Sequence, residues 1–235
     1  MSSLTLAVVI PTLNEQTALP GLLTSLRAQS HPAQRILVSD GGSTDATIAE
    51  AQRGGAEVLM APTRGRGGQI AAALARLTED VVIVAHADML LPMEALACVR
   101  RALAERPDCP GGCLGHRFDR TSLTLRVVEW WDGRRARRGE SYGDQAQFFR
   151  RELLHSAGGF PDQPIMEDIE LSRRLRSLGV PIYLDVPVTV SARRFVRLNW
   201  WRGMWTNWSL RRRYRKDGLA GCSALYDRYY RGTDG

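Results

Sequence analysis

The sequence predicts an α/β fold, with a mostly parallel central sheet flanked by helices and a basic helical tail at the C-terminal end. Three observations predict it. Val81-Val82-Ile83-Val84-Ala85 is an unbroken apolar, mostly β-branched run, the mark of a strand buried on both faces. Strand-like and helix-like segments alternate with short links through the first half of the chain, as a parallel sheet with right-handed crossovers requires. The composition, 44% hydrophobic and 24% charged, is that of a folded globular chain and excludes a disordered one.

The elements follow in order. Leu4–Ile10 is a first strand, ended by Pro11. A helical pattern runs from Glu15 to about Gln29 on Leu19, Leu22, Leu23 and Leu26. Arg35–Ser39 is a second strand, and Asp40-Gly41-Gly42-Ser43-Thr44-Asp45 is a turn whose Ser43 or Thr44 can cap the next helix, to about Arg53. Glu57–Met60 is a third strand. Arg64-Gly65-Arg66-Gly67-Gly68 opens an alanine-rich helix, Gln69–Leu77, and the buried strand Val81–Ala85 comes next. Pro92–Glu105 is a helix, after which the alternation loosens. Gly112–Phe118 reads as a strand, Leu123–Arg138 as a helix, Gln145–Phe149 as a strand and Glu167–Leu178 as a helix. Short strands are expected near Ile182–Leu184 and Val188–Val190, and the tail from Asn199 is helical and basic. No repeat or low-complexity linker marks a domain boundary.

The formal net charge of +7 suits an anionic ligand, a nucleic acid or an anionic membrane, and does not choose among them. Leu4–Ile10 lacks a basic flank and a cleavage site, so it reads as a strand and not as a signal peptide. No apolar run approaches the ~20 residues of a spanning helix. Cys98, Cys109, Cys113 and Cys222 form no CxxC pair; Cys109-Pro-Gly-Gly-Cys113 is a weak metal or redox candidate against reduced bystanders.

Four stretches have the composition of a site. The buried strand runs into His86-Ala87-Asp88, whose first and third residues point the same way in an extended chain. Strand ends of this kind face ligands in open α/β sheets. Asp40-Gly41-Gly42 lets backbone approach a ligand and places a carboxylate beside a helix start, suited to a base N–H or ribose hydroxyls; the same residues also make an ordinary helix-leading turn. Arg64 and Arg66, among glycines at a helix start, suit a diphosphate or a solvated turn. Glu167 and Asp168 open an amphipathic helix, as a general base would and as the helix dipole alone favours.

The succession Val8-Val9-Ile10-Pro11-Thr12-Leu13-Asn14-Glu15, Asp40–Asp45, the Arg/Gly helix start, a strand-end Asp88, and Gly158-Gly159-Phe160 with Glu167-Asp168 resembles the family 2 glycosyltransferases of GT-A fold. The resemblance covers about residues 4–195. Within that family, His86-Ala-Asp88, Tyr142-Gly-Asp-Gln145, Met166-Glu-Asp168 and Ser191-Ala-Arg-Arg194 resemble a small, span-free group found beside radical-SAM and selenium-associated genes. The division implied is a catalytic domain over 1–195 and a basic aromatic extension over 196–235 packed on it.

The resemblance implies an inverting transfer of sugar from a UDP- or GDP-linked donor to an acceptor hydroxyl, assisted by Mn²⁺ or Mg²⁺. Pro11, Thr12 and Glu15 would line the nucleoside pocket, and Asp40 would accept the N–H of a uracil-like base. Arg64 and Arg66 would approach base or diphosphate, joined by Arg194. Ala87 and Asp88 would face the donor. Asp88 matches the second carboxylate of the family's Asp-x-Asp, the metal ligand, and His86 stands where the first Asp would be. Asp168 matches the acceptor's base, leaving Glu167 to orient Arg194 or a donor hydroxyl. Tyr142, Asp144 and Gln145 would contact donor sugar or acceptor. His86 suits Mn²⁺ better than Mg²⁺, and Gly41 replaces an acid often found after Asp40.

Two rivals are a sugar-1-phosphate nucleotidyltransferase and a non-enzymatic nucleic-acid or anion-binding module. The first would want a glycine-rich, basic signature after the first strand, where Pro11–Glu15 stands. Against the second, the basic excess is concentrated in the tail and no nucleic-acid motif appears, so no nucleic-acid partner is expected. From Arg193 to Lys216 there are nine basic residues and no acid, and Trp201, Met204, Trp205 and Trp208 share one helical face beside Trp200. That face fits an anionic membrane surface or packing onto the body of the fold. The expected location is the cytoplasm, with peripheral contact at the inner face of the membrane as the first of those two readings.

Overall fold

The computed structural model describes residues 4–63 and 65–192, with Arg212, Tyr214 and Gly218. Arg64, Arg194, Cys222 and the tail tryptophans lie outside the described residues. In chain order the elements are β1 (Leu6–Thr12), α1 (Leu19–Arg27), β2 (Arg35–Asp40), α2 (Thr47–Arg53), β3 (Glu57–Met60), α3 (Arg66–Leu74) and β4 (Val81–Val84). There follow β5 (Met89–Leu90), α4 (Ala95–Glu105), β6 (Gly111–Phe118), α5 (Leu123–Ala136), a 3-10 turn at Gly143–Gln145, β7 (Phe148–Arg150), α6 (Arg151–Ser156), α7 (Glu167–Leu178) and β8 (Ile182–Val190).

Among the described residues these strands form one sheet in the order β3-β2-β1-β4-β7-β6-β8-β5. The β3-β2-β1-β4 half is parallel, and β6 and β8 also pair parallel. The pairs β4·β7, β6·β7 and β5·β8 are antiparallel, so the sheet is mixed. All seven residues of β1 and all four of β4 are buried, because helices cover both faces. Leu6, Val8, Ile10, Val81 and Ile83 face one core with α1 and α4; Ala7, Val9, Val82 and Val84 face a second with Ile70 of α3 and Leu171 and Leu175 of α7. Period-2 alternation on a strand buried on both sides therefore feeds two cores, and no polar residue interrupts it.

The second half departs from the expected elements in four places. Gly143–Gln145 is a 3-10 turn and β7 starts only at Phe148. The six-residue α6 is too short to show helical periodicity. The two expected short strands are one, β8, with a register shift that sets Leu114 against Leu184 and Gly115 against Pro187. The two-residue β5 has no sequence signature. Helix α5 starts as capping chemistry predicts, with extended Ser122 accepting the Leu125 N–H at 3.1 Å. No helix among the described residues is long and apolar enough to cross a membrane.

Candidate active site

Strand β1 has β2 on one flank and β4 on the other, and the loops leaving these three strands meet at their carboxyl ends. Pro11 and Thr12 are buried at the end of β1. The Thr12 hydroxyl donates to Asp40 Oδ2 at 3.0 Å. Asp40 Oδ1 accepts the N–H groups of Gly42 and Ser43, at 2.9 and 2.7 Å, and Oδ2 accepts the Ser43 hydroxyl at 2.6 Å. A carboxylate offers about four lone-pair positions, and all four here serve the protein's own donors on a side chain with 0% exposure. The base-accepting role expected for Asp40 therefore meets a saturated carboxylate: as folded, Asp40 ties off its turn.

The turn is laced to the loop after β1. Asn14 N–H donates to Ser43 Oγ, Glu15 N–H to Thr47 Oγ1 and Thr44 N–H to Asn14 Oδ1. Neither Ser43 nor Thr44 caps α2, because both are committed to these contacts. The N-cap position of α2 is Ala46, without a side-chain cap, and Asp45 accepts the Thr47 N–H at 2.9 Å just ahead of the helix. From α3, buried Gln69 donates to the carbonyls of Thr12 and Ser39, at 2.6 and 3.0 Å, and joins the ends of β1 and β2.

The glycine-rich start of α3 is covered by the protein itself. A Cβ on Gly67 would lie 2.2 Å from the Gln163 carbonyl oxygen, and one on Gly65 would lie 2.4 Å from Pro164 Cα. These glycines let the loop before α7 lie directly on the helix start, which corrects the expectation that their open backbone takes a diphosphate. Arg66 points from this turn to α7, with Nε 2.8 Å from Glu167 Oε1. Glu167 is 1% exposed, and its Oε2 has no hydrogen-bond partner among the described residues. Burial pushes its carboxyl up to about 7, opposed by Arg66 and reinforced by the charge of Asp168. Glu167 is thus held by Arg66, where the sequence reading gave it Arg194 or a donor hydroxyl.

Asp168 faces a different neighbour. Its Oδ2 accepts the Gly143 N–H at 2.8 Å. A Cβ on Gly143 would lie 2.7 Å from His86 Nε2 and 3.5 Å from Asp168 Oδ2. The end of β4, the 3-10 turn and the start of α7 thus converge on one point, and Gly143 is small enough to allow it. Asp88 is exposed in the turn between β4 and β5, with no hydrogen bond or ion pair among the described residues. Ala87 is buried in the core, so only its backbone is available to a ligand. For a divalent ion, Asp88 supplies a free oxygen donor, and His86, two residues before it, an imidazole. Mg²⁺ and Mn²⁺ complete such partial sets with water and substrate oxygens.

Asn14, Ala146 and Met166 are the non-glycine residues of positive φ among the described ones, at 56°, 41° and 64°. All three lie on loops of this face, beside Ser43, the 3-10 turn and Glu167. Left-handed backbone costs about 1–2 kcal/mol at such residues and persists where surrounding contacts over-determine it.

The expected sugar or acceptor residues separate. Tyr142 is half-buried, lies 3.5 Å under the Arg135 guanidinium and borders a cleft of about 410 Å³ with Ser172 and Arg173. Gln145 is fully buried and accepts the Tyr142 N–H at 3.2 Å, so it braces the turn and is not presented to a sugar. Asp144 turns inward to His116 of β6 and Asp132 of α5; their ligand atoms lie within 4.8 Å of one another. Burial raises its carboxyl above the usual range, with His116 opposing and Asp132 adding to the rise. Sequence reasoning missed His116, Asp132 and also Gln147, whose Nε2 donates to Ser141 Oγ at 2.9 Å and the Asp168 carbonyl at 3.1 Å. A histidine at a buried position of the strand Gly111–Phe118, whose other charged residue, Arg117, is exposed, was the one available signal. Cys109 and Cys113 are both buried and unbridged: burial pushes the Cys113 thiol up to about 12, which disfavours a reactive thiolate there, and Cys109 donates to the Gly111 carbonyl.

Residues 7–156 match the family described as Glycosyl transferase family 2. An uncharacterized glycosyltransferase of Mycobacterium tuberculosis (strain ATCC 25618 / H37Rv) is 40% identical over 81 residues, 34% of this chain and 35% of that one. The undecaprenyl-phosphate 4-deoxy-4-formamido-L-arabinose transferase of Serratia proteamaculans (strain 568) is 31% identical over 162 residues, 63% of this chain and 49% of that one. The matches thus span a third to a half of these curated relatives. In fold, the mannosyltransferase PcManGT from Pyrobaculum calidifontis, in complex with GDP-Man and Mn²⁺, superposes with a TM-score of 0.70 at 22% identity, over 90% of this chain and 61% of that one.

Proposed function

The chain belongs to glycosyl transferase family 2, and from that premise we propose that it is an inverting enzyme that moves a sugar from a UDP- or GDP-linked donor to an acceptor hydroxyl. The observation that carries the reading is the meeting of His86, Gly143 and Asp168 at the carboxyl end of β4, in the same strand exit as the exposed Asp88. The GDP-Man and Mn²⁺ of the Pyrobaculum structure support a nucleotide-sugar donor and a divalent ion. The His86-Ala-Asp88 and Ser191-Ala-Arg-Arg194 motifs support placement in the small radical-SAM- and selenium-associated group of the family. Membership of the family displaces the nucleotidyltransferase and nucleic-acid readings.

In the proposed arrangement the nucleoside lies over Pro11, Thr12 and Glu15. Asp40 acts through Thr12, by holding the floor of that pocket. A divalent ion at Asp88, when bound, supplies positive charge to the departing diphosphate. Arg64 and Arg194 add cationic hydrogen bonds to the same phosphates. Asp168, oriented by the Gly143 N–H, accepts the acceptor's proton as the oxygen attacks the sugar C1 from the face opposite the diphosphate. Glu167 and Arg66 act as a buried pair that fixes the start of α7 and thereby the direction of Asp168. Tyr142 flanks the acceptor side.

We propose that residues 1–195 form the catalytic domain and 196–235 an extension packed on it. The buried Tyr214, whose hydroxyl donates to Glu170 Oε2 at 3.2 Å, supports that packing. A second reading concerns location: a cytoplasmic enzyme that docks on the inner, anionic face of a membrane. It is supported by α5, where Leu123, Val127, Trp130 and Trp131 form an exposed apolar stripe at 83, 54, 58 and 59% exposure, flanked by exposed Arg126, Arg134 and Arg138. Tryptophan with arginine at helical spacing fits the headgroup layer, and the lipid-phosphate relative points the same way.

The test is turnover of a nucleotide-sugar panel with Mn²⁺, Mg²⁺ or chelator, with product configuration read by NMR. Metal-dependent release of UDP or GDP, lost in Asp88→Asn, is expected. Full activity in chelator would overturn the metal assignment, and retention of configuration the single displacement. Vesicle flotation tests the docking: failure to bind anionic vesicles at low salt, or binding insensitive to salt, removes it.

A further inference from the structure

From the side chains of β6, α5 and the 3-10 turn, we infer that His116, Asp132 and Asp144 form a second divalent-cation site, separate from Asp88, that locks the turn carrying Gly143. The three groups come from different elements, and one ligand atom of each lies within 4.8 Å of the other two. Around one ion of this class, ligand atoms sit about 3–4 Å apart, so small side-chain rotations close the set. The set is mixed, one imidazole nitrogen and two carboxylate oxygens, which suits Zn²⁺, Co²⁺ or Mn²⁺ better than Mg²⁺.

Two buried side-chain atoms of the cluster have no hydrogen-bond partner among the described residues. His116 is 6% exposed, and its Nε2 has no hydrogen-bond partner among the described residues. Its nearest carboxylate oxygen, Asp132 Oδ2, is 3.7 Å away, too far for a hydrogen bond. Asp144 Oδ1 is likewise buried without a partner. Buried polar groups are normally satisfied, and orphans of this kind call for a water, an ion or a functional strain. Arg135 pairs with Asp132 Oδ1 and stacks on Tyr142, which leaves Asp132 Oδ2 and Asp144 on the side of the imidazole.

The position gives the ion a task. Asp144 follows Gly143, whose N–H holds Asp168 and whose Cα rests against His86. Anchoring Asp144 to β6 and α5 fixes the turn that aims the base, as outer groups do around many reacting centres. The ion touches no substrate and acts by positioning.

Full-length protein carrying Asp88→Asn, stripped with chelator, isolates the second site, and Co²⁺ alone is the probe. One bound Co²⁺ per chain is expected by absorption and calorimetry, with a rise in the unfolding midpoint. In the same background, His116→Gln and Asp144→Asn should each weaken Co²⁺ at least about tenfold and abolish the thermal shift, with circular dichroism unchanged. Should His116→Gln not fold, the near-isosteric Asp144→Asn carries the test. No Co²⁺ on the Asp88→Asn protein, or Co²⁺ bound there with affinity unchanged by Asp144→Asn, overturns the inference. Either result leaves the transferase reading intact, because that reading is judged on donor turnover in the otherwise unaltered protein.

Discussion

Replacing Glu167 by glutamine should change how stability depends on pH. In the native state the carboxyl sits at about 7, pushed there by burial and the charge of Asp168 against the pull of Arg66; its ordinary value is 4.5. The folded protein therefore holds a proton on Glu167 between pH 4.5 and 7 that the unfolded chain has released. Stability falls wherever the native state binds more protons than the unfolded one as pH rises. Glu167 thus stabilises nothing by ionising: its cost is absent below about pH 4.5 and grows until pH passes about 7. At about 1.4 kcal/mol per pH unit, the rise from 4.5 to about 7 corresponds to about 3 kcal/mol. Urea unfolding of wild type and Glu167→Gln at pH 4.5, 6 and 8 measures it. The wild type should lose about 3 kcal/mol relative to the variant across that range. Any uniform penalty of the amide cancels, because the readout is the slope. A difference constant with pH would show that Arg66 holds Glu167 ionised throughout, and the argument from burial would be wrong.

Three further outcomes test the site. Asp168→Asn should lower kcat by ~10²–10⁴-fold with nucleotide affinity near wild type, whereas Glu167→Gln, which acts only by aiming Asp168, should lower kcat less and leave donor KM near wild type; the reverse order exchanges their roles. Asp40→Ala should cost about 3 kcal/mol of stability, since it strands buried donors on Thr12 and Ser43; unfolding curves that match wild type would show the turn does not depend on that carboxylate. Gly143→Ala brings a methyl to 2.7 Å from His86 Nε2, so kcat should fall by at least about tenfold if the base is displaced. Activity at the wild-type level would mean the turn does not need to approach His86.

The sequence alone determined what local chemistry controls. The double-sided burial of β1 and β4 is written in Leu6–Ile10 and Val81–Ala85, because an apolar run with no polar face has only a covered sheet to enter. Strand ends are likewise local, so Asp88 and the start of α7 were found where the runs stop. The antiparallel half was less legible: α6 and β5 are too short to carry a period, and Pro187 splits what is one bulged strand. Only the tertiary structure decided the partners. Arg66 could be read as ligand-facing, yet it closes on Glu167, while Asp168 is oriented by the Gly143 N–H of a distant turn. The glycines at 65 and 67 are required by Pro164 and Gln163, and Asp40 by Thr12 and Ser43. His116, Asp132 and Asp144 have no common spacing at all. Such contacts depend on how loops from distant strands stack at one end of the sheet, and hydrophobic periodicity, which fixes each element's face, carries no information about that stacking.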